Sequence, residues 1–313
     1  MADTIATSTL TPKANTDGKT VPVRQFKITD IPDAMRKMDW PVAAQLMEYW
    51  FNGEPWPTED GSIVAAVKSH HEHAPKKYIN ESIIKMDWVL SFPKVHSYLD
   101  ELRAVWRGPR AQDEICKKFK NNFGSALPAT YKLNFFGHGP LAENFGYFNY
   151  KRVDFDPVGG EVDELRAALG NFNLRVVAEG DMVVTASAYV FYPVKLGFYI
   201  DDCYDFNDES DWWRPSQLLG FWGFNGLAMS IPEVMARGLS TDEQLQSLAL
   251  QSMTGYEKFF DQRYADIDSQ RYYLIQNKNF QDYRRKYSRG GDFKISSDIY
   301  YEDIVSPPLV FEK

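Results

Sequence analysis

Six carboxylates fall within eleven residues of this chain: Asp201, Asp202, Asp205, Asp208, Glu209 and Asp211. They follow directly on an apolar run, Phe198-Tyr199-Ile200, that reads as the end of a strand. Like charges at that density repel, and burying them unpaired forces protonation or costs on the order of several kcal/mol. Three arrangements relieve the repulsion: solvation at a strand end, pairing with a cation such as Arg214, or capture of a hard cation through oxygen ligands. Strand alternation puts Asp201, Cys203 and Asp205 on one side and Asp202, Tyr204 and Phe206 on the other. Asp202, Tyr204 and Asp205, with Arg214 as the nearby cation, are therefore the candidate acid site. Asp202, Asp205 and Asp208 are the candidate ligands for Mg²⁺ or Ca²⁺. The structural account of the same residues is a hydrated acidic loop paired with Arg214.

A second polar group is His70, His71, Glu72 and His73, with His96 further on. In an extended segment His71 and His73 point the same way and could grip a transition metal. No Cys-x-x-Cys or His-Glu-x-x-His pattern completes a ligand set, so an exposed polar loop before Pro75 is the better account of them. His138 stands between two glycines at an expected turn. The stretch Tyr283–Arg289 carries four cations at an expected helix end, where they suit the helix dipole or an acidic partner. Arg284 and Arg285, with Trp212, Trp213 and Trp222, are the candidate partner-binding residues, because exposed aromatics beside glycines suit an interface. A homodimer is one form that interface could take. Neither a Gly-x-x-x-x-Gly-Lys-Ser/Thr loop nor Gly-x-Ser-x-Gly occurs, so nucleotide binding and a hydrolase nucleophile elbow lack sequence support.

The elements that must position these residues belong to a folded chain. Its 313 residues are 44% apolar and 15% aromatic, which excludes disordered, collagen-like and disulfide-scaffold classes. A net charge of −8 repels phosphate backbones and argues against general nucleic-acid binding. Cys116 and Cys203 read as two reduced thiols, the cytosolic default. The first residues, Met1-Ala2-Asp3-Thr4, lack the basic start and apolar core of a signal peptide. The expected location is therefore the cytoplasm of the producing cell, with any secretion following a leaderless route. Pro215 to Pro232 is uncharged over 18 residues, but Gly220, Gly223 and Gly226 point to buried strand and turn rather than a membrane span.

Residues 1–23 read as a flexible tail. Residues 24–125 read as a helical region, with starts at Asp39-Trp40-Pro41, Ser91-Phe92-Pro93 and Ala111. Residues 126–313 read as an α+β domain with a mainly antiparallel sheet and flanking helices. Within it, strands are expected at 131–136, 145–153, 172–178, 182–192, 198–206, 272–276 and 293–299. Turns are expected at 137–140, 179–181 and 193–197. Helices are expected at 161–169, 232–237, 242–250, 256–264 and 278–289.

Two blocks carry a family resemblance. Phe198-Tyr199-Ile200-Asp201-Asp202-Cys203-Tyr204-Asp205-Phe206-Asn207, followed by Leu218-Leu219-Gly220-Phe221-Trp222, is one. Asn279-Phe280-Gln281-Asp282-Tyr283-Arg284, continuing at Gly290-Gly291-Asp292-Phe293, is the other. Both resemble an uncharacterised bacterial family encoded beside type VI secretion spike (VgrG) genes. The resemblance implies an antibacterial effector carried as cargo, its loading adaptor, or an immunity protein, with a VgrG-like spike as partner.

Locally, Asp202-x-Tyr204-Asp205 also resembles the Asp-x-Tyr-Asp motif of the colicin M family. Those toxins are cation-dependent hydrolases of the peptidoglycan lipid precursor. That resemblance implies Asp202, Tyr204 and Asp205 as active-site residues. The adjacent His-Arg pair of that family has no counterpart, since no histidine follows His138. A non-catalytic protein-binding module is the third class open to the sequence.

Overall fold

The computed structural model describes residues 26–155, 162–208, 216–229, 264–267 and 270–313. The helices in chain order are α1 (Ile31–Lys37), α2 (Pro41–Asn52), α3 (Ala65–Lys68), α4 (Met86–Leu90), α5 (Pro93–Val105), α6 (Pro109–Phe123), α7 (Gly139–Phe145), α8 (Glu164–Leu169) and α9 (Asn277–Tyr287). Proline opens α2, α5 and α6, where its missing N–H costs the helix nothing. The first strands are β1 (Ile79–Asn80), β2 (Ala129–Leu133), β3 (Asn149–Val153), β4 (Phe172–Val184), β5 (Ala188–Tyr204) and β6 (Leu218–Gly223). β7 (Gly226–Met229), β8 (Tyr264–Ile267), β9 (Gln270–Gln276), β10 (Phe293–Ser296), β11 (Tyr300–Asp303) and β12 (Leu309–Glu312) follow. The class is α+β, and among the described strands only β1 and β10 pair in parallel.

The chain divides into two compact units that interleave in sequence. Unit 1 takes Met1–Gly61, Asp156–Glu164 and Phe206–Gly290; unit 2 takes Ser62–Phe155, Leu165–Asp205 and Gly291–Lys313. The helices of the 24–125 region therefore serve both units.

Unit 1 holds the sheet β7-β6-β9-β8 with α1, α2 and α9. Its core centres on Trp50, fully buried on the apolar face of α2. The indole meets Phe51, Phe206 and Phe280 edge-on at 5.1–5.3 Å between ring centres. Gly290, at φ +98°, closes over it, and a Cβ there would come within 2.4 Å of the ring. The uncharged stretch from 218 to 229 forms the β6–β7 hairpin, as expected of a buried strand-and-turn segment. Among the described residues no helix is long and apolar enough to cross a membrane.

Unit 2 is built on the long antiparallel hairpin β4–β5. β2 and β3 pair with β4, while β10, β11 and β12 pair with β5. Three short strands with turns at 179–181 and 193–197 were the expectation here, and two long strands are what forms. The breakers of one strand lie against those of the other: Gly180 pairs with Pro193, and the disturbance is a single β-bulge between Glu179 and Gly180. A Cβ on Gly180 would sit 2.0 Å from the Tyr192 carbonyl oxygen, so only glycine allows this approach.

The true turn is Thr185–Ser187, inside the stretch expected as a strand; the Thr185 hydroxyl accepts from the Ala188 N–H at 2.9 Å. The turn also moves the buried face onto Tyr189 and Phe191 and leaves Tyr192 exposed. Phe119 of α6 packs edge-on against Phe191 at 5.2 Å and Phe311 at 5.8 Å. The stretch expected as strand from 145 begins instead as the end of α7, which His138 caps by accepting from the Leu141 N–H at 3.2 Å. The expected helices between 232 and 263, and the 1–23 tail, lie outside the described residues.

Replacing Trp50 with Ala removes the centre of unit 1 and should cost about 3–5 kcal/mol. Urea titration should show a lowered midpoint, with Trp50→Phe losing distinctly less.

Candidate functional site

Three neighbouring strands of unit 2 carry polar side chains on one shared face. Arg175 on β4 lies directly opposite Tyr199 on β5; Asp201 stands two residues further along β5; Lys294 on β10 is opposite Cys203. Arg175, Tyr199 and Asp201 are each no more than 3% exposed. Lys294 donates to Asp201 Oδ1, and an Arg175 Nη lies 3.9 Å from the same oxygen. α7 lays Glu143 over this face. The Tyr199 hydroxyl donates to Glu143 Oε2 at 2.8 Å, and Arg175 Nε sits 3.1 Å from that oxygen, off hydrogen-bond alignment.

The last member comes from the turn after α3, where His70 takes φ +59°. That conformation is costly for a non-glycine residue. It brings the imidazole against the cluster: Arg175 Nη2 to Nε2 at 2.9 Å, with Nδ1 at 3.5 Å from Glu143 and 3.6 Å from Asp201. A guanidinium only donates, so Nε2 accepts from Arg175, while Nδ1 lies 3.3 Å from the Lys294 ammonium.

The electrostatics follow from burial and neighbours. Burial, then the charges of Lys294 and Arg175, pull the His70 pKa down to about 3, so the ring is neutral. Burial, then the charge of Asp201, lifts Glu143 to about 7 against the opposing pull of Arg175, the Tyr199 hydrogen bond and Lys294. Burial and the adjacent Glu143 push the Tyr199 phenol well above its ordinary range. The cluster opens into a pocket of about 220 Å³ lined by His70, His73, Lys118, Glu143, Asp201 and Lys294 among others. A buried carboxyl near neutrality beside a neutral imidazole can give or take a proton at physiological pH.

Among the described residues, the group of three whose ligand atoms lie within 4.8 Å of one another is His70, Glu143 and Asp201. As a metal cage it fits poorly. Lys294 and Arg175 already neutralise the two carboxylates, and His70 Nε2 faces a donor where a metal-bound imidazole needs an acceptor.

The residues singled out in the sequence are placed elsewhere. Asp205 accepts from Lys68 at 2.7 Å. Burial lifts Asp202 to about 7, which weakens it as a ligand for Mg²⁺ or Ca²⁺. Tyr204 is buried and stacked on Phe293 at 5.0 Å. Asp208 belongs to unit 1, where it accepts from the Ser216 hydroxyl at 2.7 Å, the Gln217 N–H at 3.0 Å and Gln281 at 3.2 Å. Asp205 and Asp208 are thus each taken up by local partners.

Arg214, Trp212 and Trp213, with Glu209 and Asp211, lie outside the described residues. Trp222 and Arg284, expected to face a partner, are buried in unit 1. Trp222 packs edge-on to Trp40, and Arg284 donates to the Gly290 carbonyl at 2.9 Å and to Asn207 at 3.2 Å. Arg285 is exposed and pairs with Asp282 one turn back. His71 contacts the Ser69 hydroxyl at 3.0 Å, and His138 pairs with Glu81 at 2.8 Å.

Of the site, sequence reasoning reached Asp201 and the histidine segment but missed Glu143, Arg175, Tyr199 and Lys294. The available signal was charge inside apolar strands: Arg175 in Leu174-Arg175-Val176-Val177 and Lys294 in Phe293-Lys294-Ile295.

The sign of each pKa displacement sets a pH dependence. A carboxyl raised on folding stabilises below its unfolded pKa and loses that contribution as pH climbs through its folded pKa. Glu143 and Asp202 therefore lose stabilisation between about 4 and 7. His70, displaced downward, contributes the opposite slope between about 3 and 6.5. Glu143→Gln deletes one falling contribution, so the variant should gain on wild type by on the order of 3 kcal/mol as pH rises through that window. Urea unfolding at about pH 5 and about pH 7.5 measures the difference.

No curated protein and no solved structure matches the chain. Residues 26–311 match the family described as Family of unknown function (DUF6402), and the chain belongs to that family.

Proposed function

We propose that this chain is a type VI secretion-associated protein, an antibacterial effector or its companion, and that its chemistry resides in the unit 2 pocket as an acid–base centre. The observation that carries the second part is Glu143, held near neutrality opposite a neutral His70 at the floor of a cavity. The secretion assignment rests on the resemblance of the 198–222 and 279–293 blocks to spike-linked proteins.

In this reading Glu143 exchanges the proton with a bound substrate. His70 is too weak a base to hold that proton and instead accepts from Arg175, steadying the guanidinium beside Glu143. Arg175 and Lys294 stabilise negative charge that develops on the substrate. Tyr199 fixes Glu143 Oε2 and leaves Oε1 towards His70. The groups facing Glu143 are thus His70, Arg175, Tyr199, Asp201, Lys294 and, more remotely, Lys118.

The colicin M-like alternative places the chemistry on Asp202, Tyr204 and Asp205. The Lys68 pairing of Asp205 and the stacking of Tyr204 give it less support.

Growth of a bacterial host separates these readings. The chain is expressed in the cytoplasm and, separately, with an added periplasmic leader. Wild type should arrest growth in one compartment, Glu143→Gln should relieve the arrest, and Asp205→Ala should remain toxic. Arrest lost in Asp205→Ala but kept in Glu143→Gln would move the chemistry to the colicin M-like residues. Indifference of wild type in both compartments would exclude the effector role and leave the companion.

A further inference from the structure

We infer that the unit 2 pocket receives an oxyanion, a phosphate or carboxylate group of a small ligand, between Lys118 and Lys294. This deepens, and rests on, the reading of that pocket as the working site.

Lys118 projects from α6 into the pocket and is half-buried. Among the described residues no ion pair or hydrogen bond takes up its ammonium; its contact is the Tyr147 ring at 4.8 Å. The other cations near the pocket are engaged: Lys294 by Asp201, and Arg175 by Glu143 and His70, with its guanidinium over the same Tyr147 ring at 4.5 Å. Glu114, one turn back on α6, is bonded to Lys117 at 2.5 Å. Glu72 also lines the pocket but is exposed.

A half-buried ammonium that Glu143 and Glu114 reach only at a distance keeps part of its desolvation cost, and an anion seated against it lowers that cost. Burial does push Lys118 below the usual lysine range, as expected of a cation awaiting a partner. The volume of about 220 Å³ is ample for one oxyanion group. Ammonium groups act as point charges that accept phosphate or carboxylate without demanding a fork geometry.

The test is calorimetric titration of the full chain with inorganic phosphate and, separately, with acetate. The proteins are wild type, Lys118→Met, Lys118→Arg, Lys117→Met and Glu143→Gln. At least one anion should bind wild type, and which of the two binds assigns the group. Lys118→Met should weaken binding about tenfold or more, the loss of one charge-assisted contact. Lys118→Arg and the exposed Lys117→Met should retain it, and Glu143→Gln, which removes a negative charge facing both lysines, should bind at least as tightly. Absence of binding by both anions, or equal affinity in Lys118→Met, overturns the inference. If anions fail to bind while Glu143→Gln still relieves growth arrest, the oxyanion site falls and the acid–base centre stands. If anions bind while Glu143→Gln stays toxic, the acid–base centre falls and the oxyanion site stands.

Discussion

The site in unit 2 depends on the burial of Asp201 between two cations. A carboxylate only 3% exposed on a sheet face is sustainable when opposite charge is held against it by elements that cannot drift. Lys294 arrives from β10 and Arg175 from β4, both hydrogen-bonded neighbours of β5. Removing either cation would strand a charge in a low-dielectric interior, so the cluster constrains the sheet as much as the sheet constrains it.

That arrangement is a matter of register, and the register is set by the bulge at Glu179/Gly180. Beyond it Arg175 pairs with Tyr199, while Leu174 pairs with Ile200 and Val176 with Phe198. Were the ladder to run on without the bulge, Arg175 would fall opposite Phe198, and Tyr199 and Asp201 would turn to the opposite sheet face, with Leu174 and Val176. A one-residue slip moves every side chain to the other face. Arg175 and Asp201 would then lie on opposite faces, and Asp201 would be left with Lys294 alone. Gly180 makes the shift possible because no other residue can lie so close to the Tyr192 carbonyl. A feature that reads as a turn in sequence is thus what brings Tyr199 and Asp201 onto the face of Arg175.

The same point explains what was legible beforehand. The α+β class, the Pro-started helices α2 and α5, the β6–β7 segment and the basic helix α9 follow from local rules of periodicity and capping, and they were foreseen. The hairpin turn was not, because Thr185-Ala186-Ser187 lacks glycine and proline, and its closure relies on the Thr185 hydroxyl. Asp201 stood out in the acidic run, but the run itself dissolves into separate local pairings: Asp205 with Lys68, and Asp208 with Ser216 and Gln217. Glu143 was hidden because Gly139-Pro140 looks like a turn, whereas His138 caps a helix there and Pro140 occupies its first turn. Long-range register and a capped short helix have no local signature, and the site is assembled from both.

The two carboxylates of the cluster are not equivalent, and the difference decides where a proton resides. Asp201 receives Lys294 directly and has Arg175 within 4 Å, so its charge is compensated on both sides. Glu143 hangs from a short helix above the sheet, takes a hydrogen bond from a phenol and meets Arg175 off-axis, and it feels the charge of Asp201 across the gap. A carboxyl lifted in this way holds an exchangeable proton near neutrality. A dication would need both carboxylates charged and both resident cations displaced. A proton needs neither, and it settles on Glu143 with Asp201, Lys294 and Arg175 left in place. Proton exchange is therefore the chemistry this geometry allows at the least electrostatic cost, as the proposed acid–base centre requires.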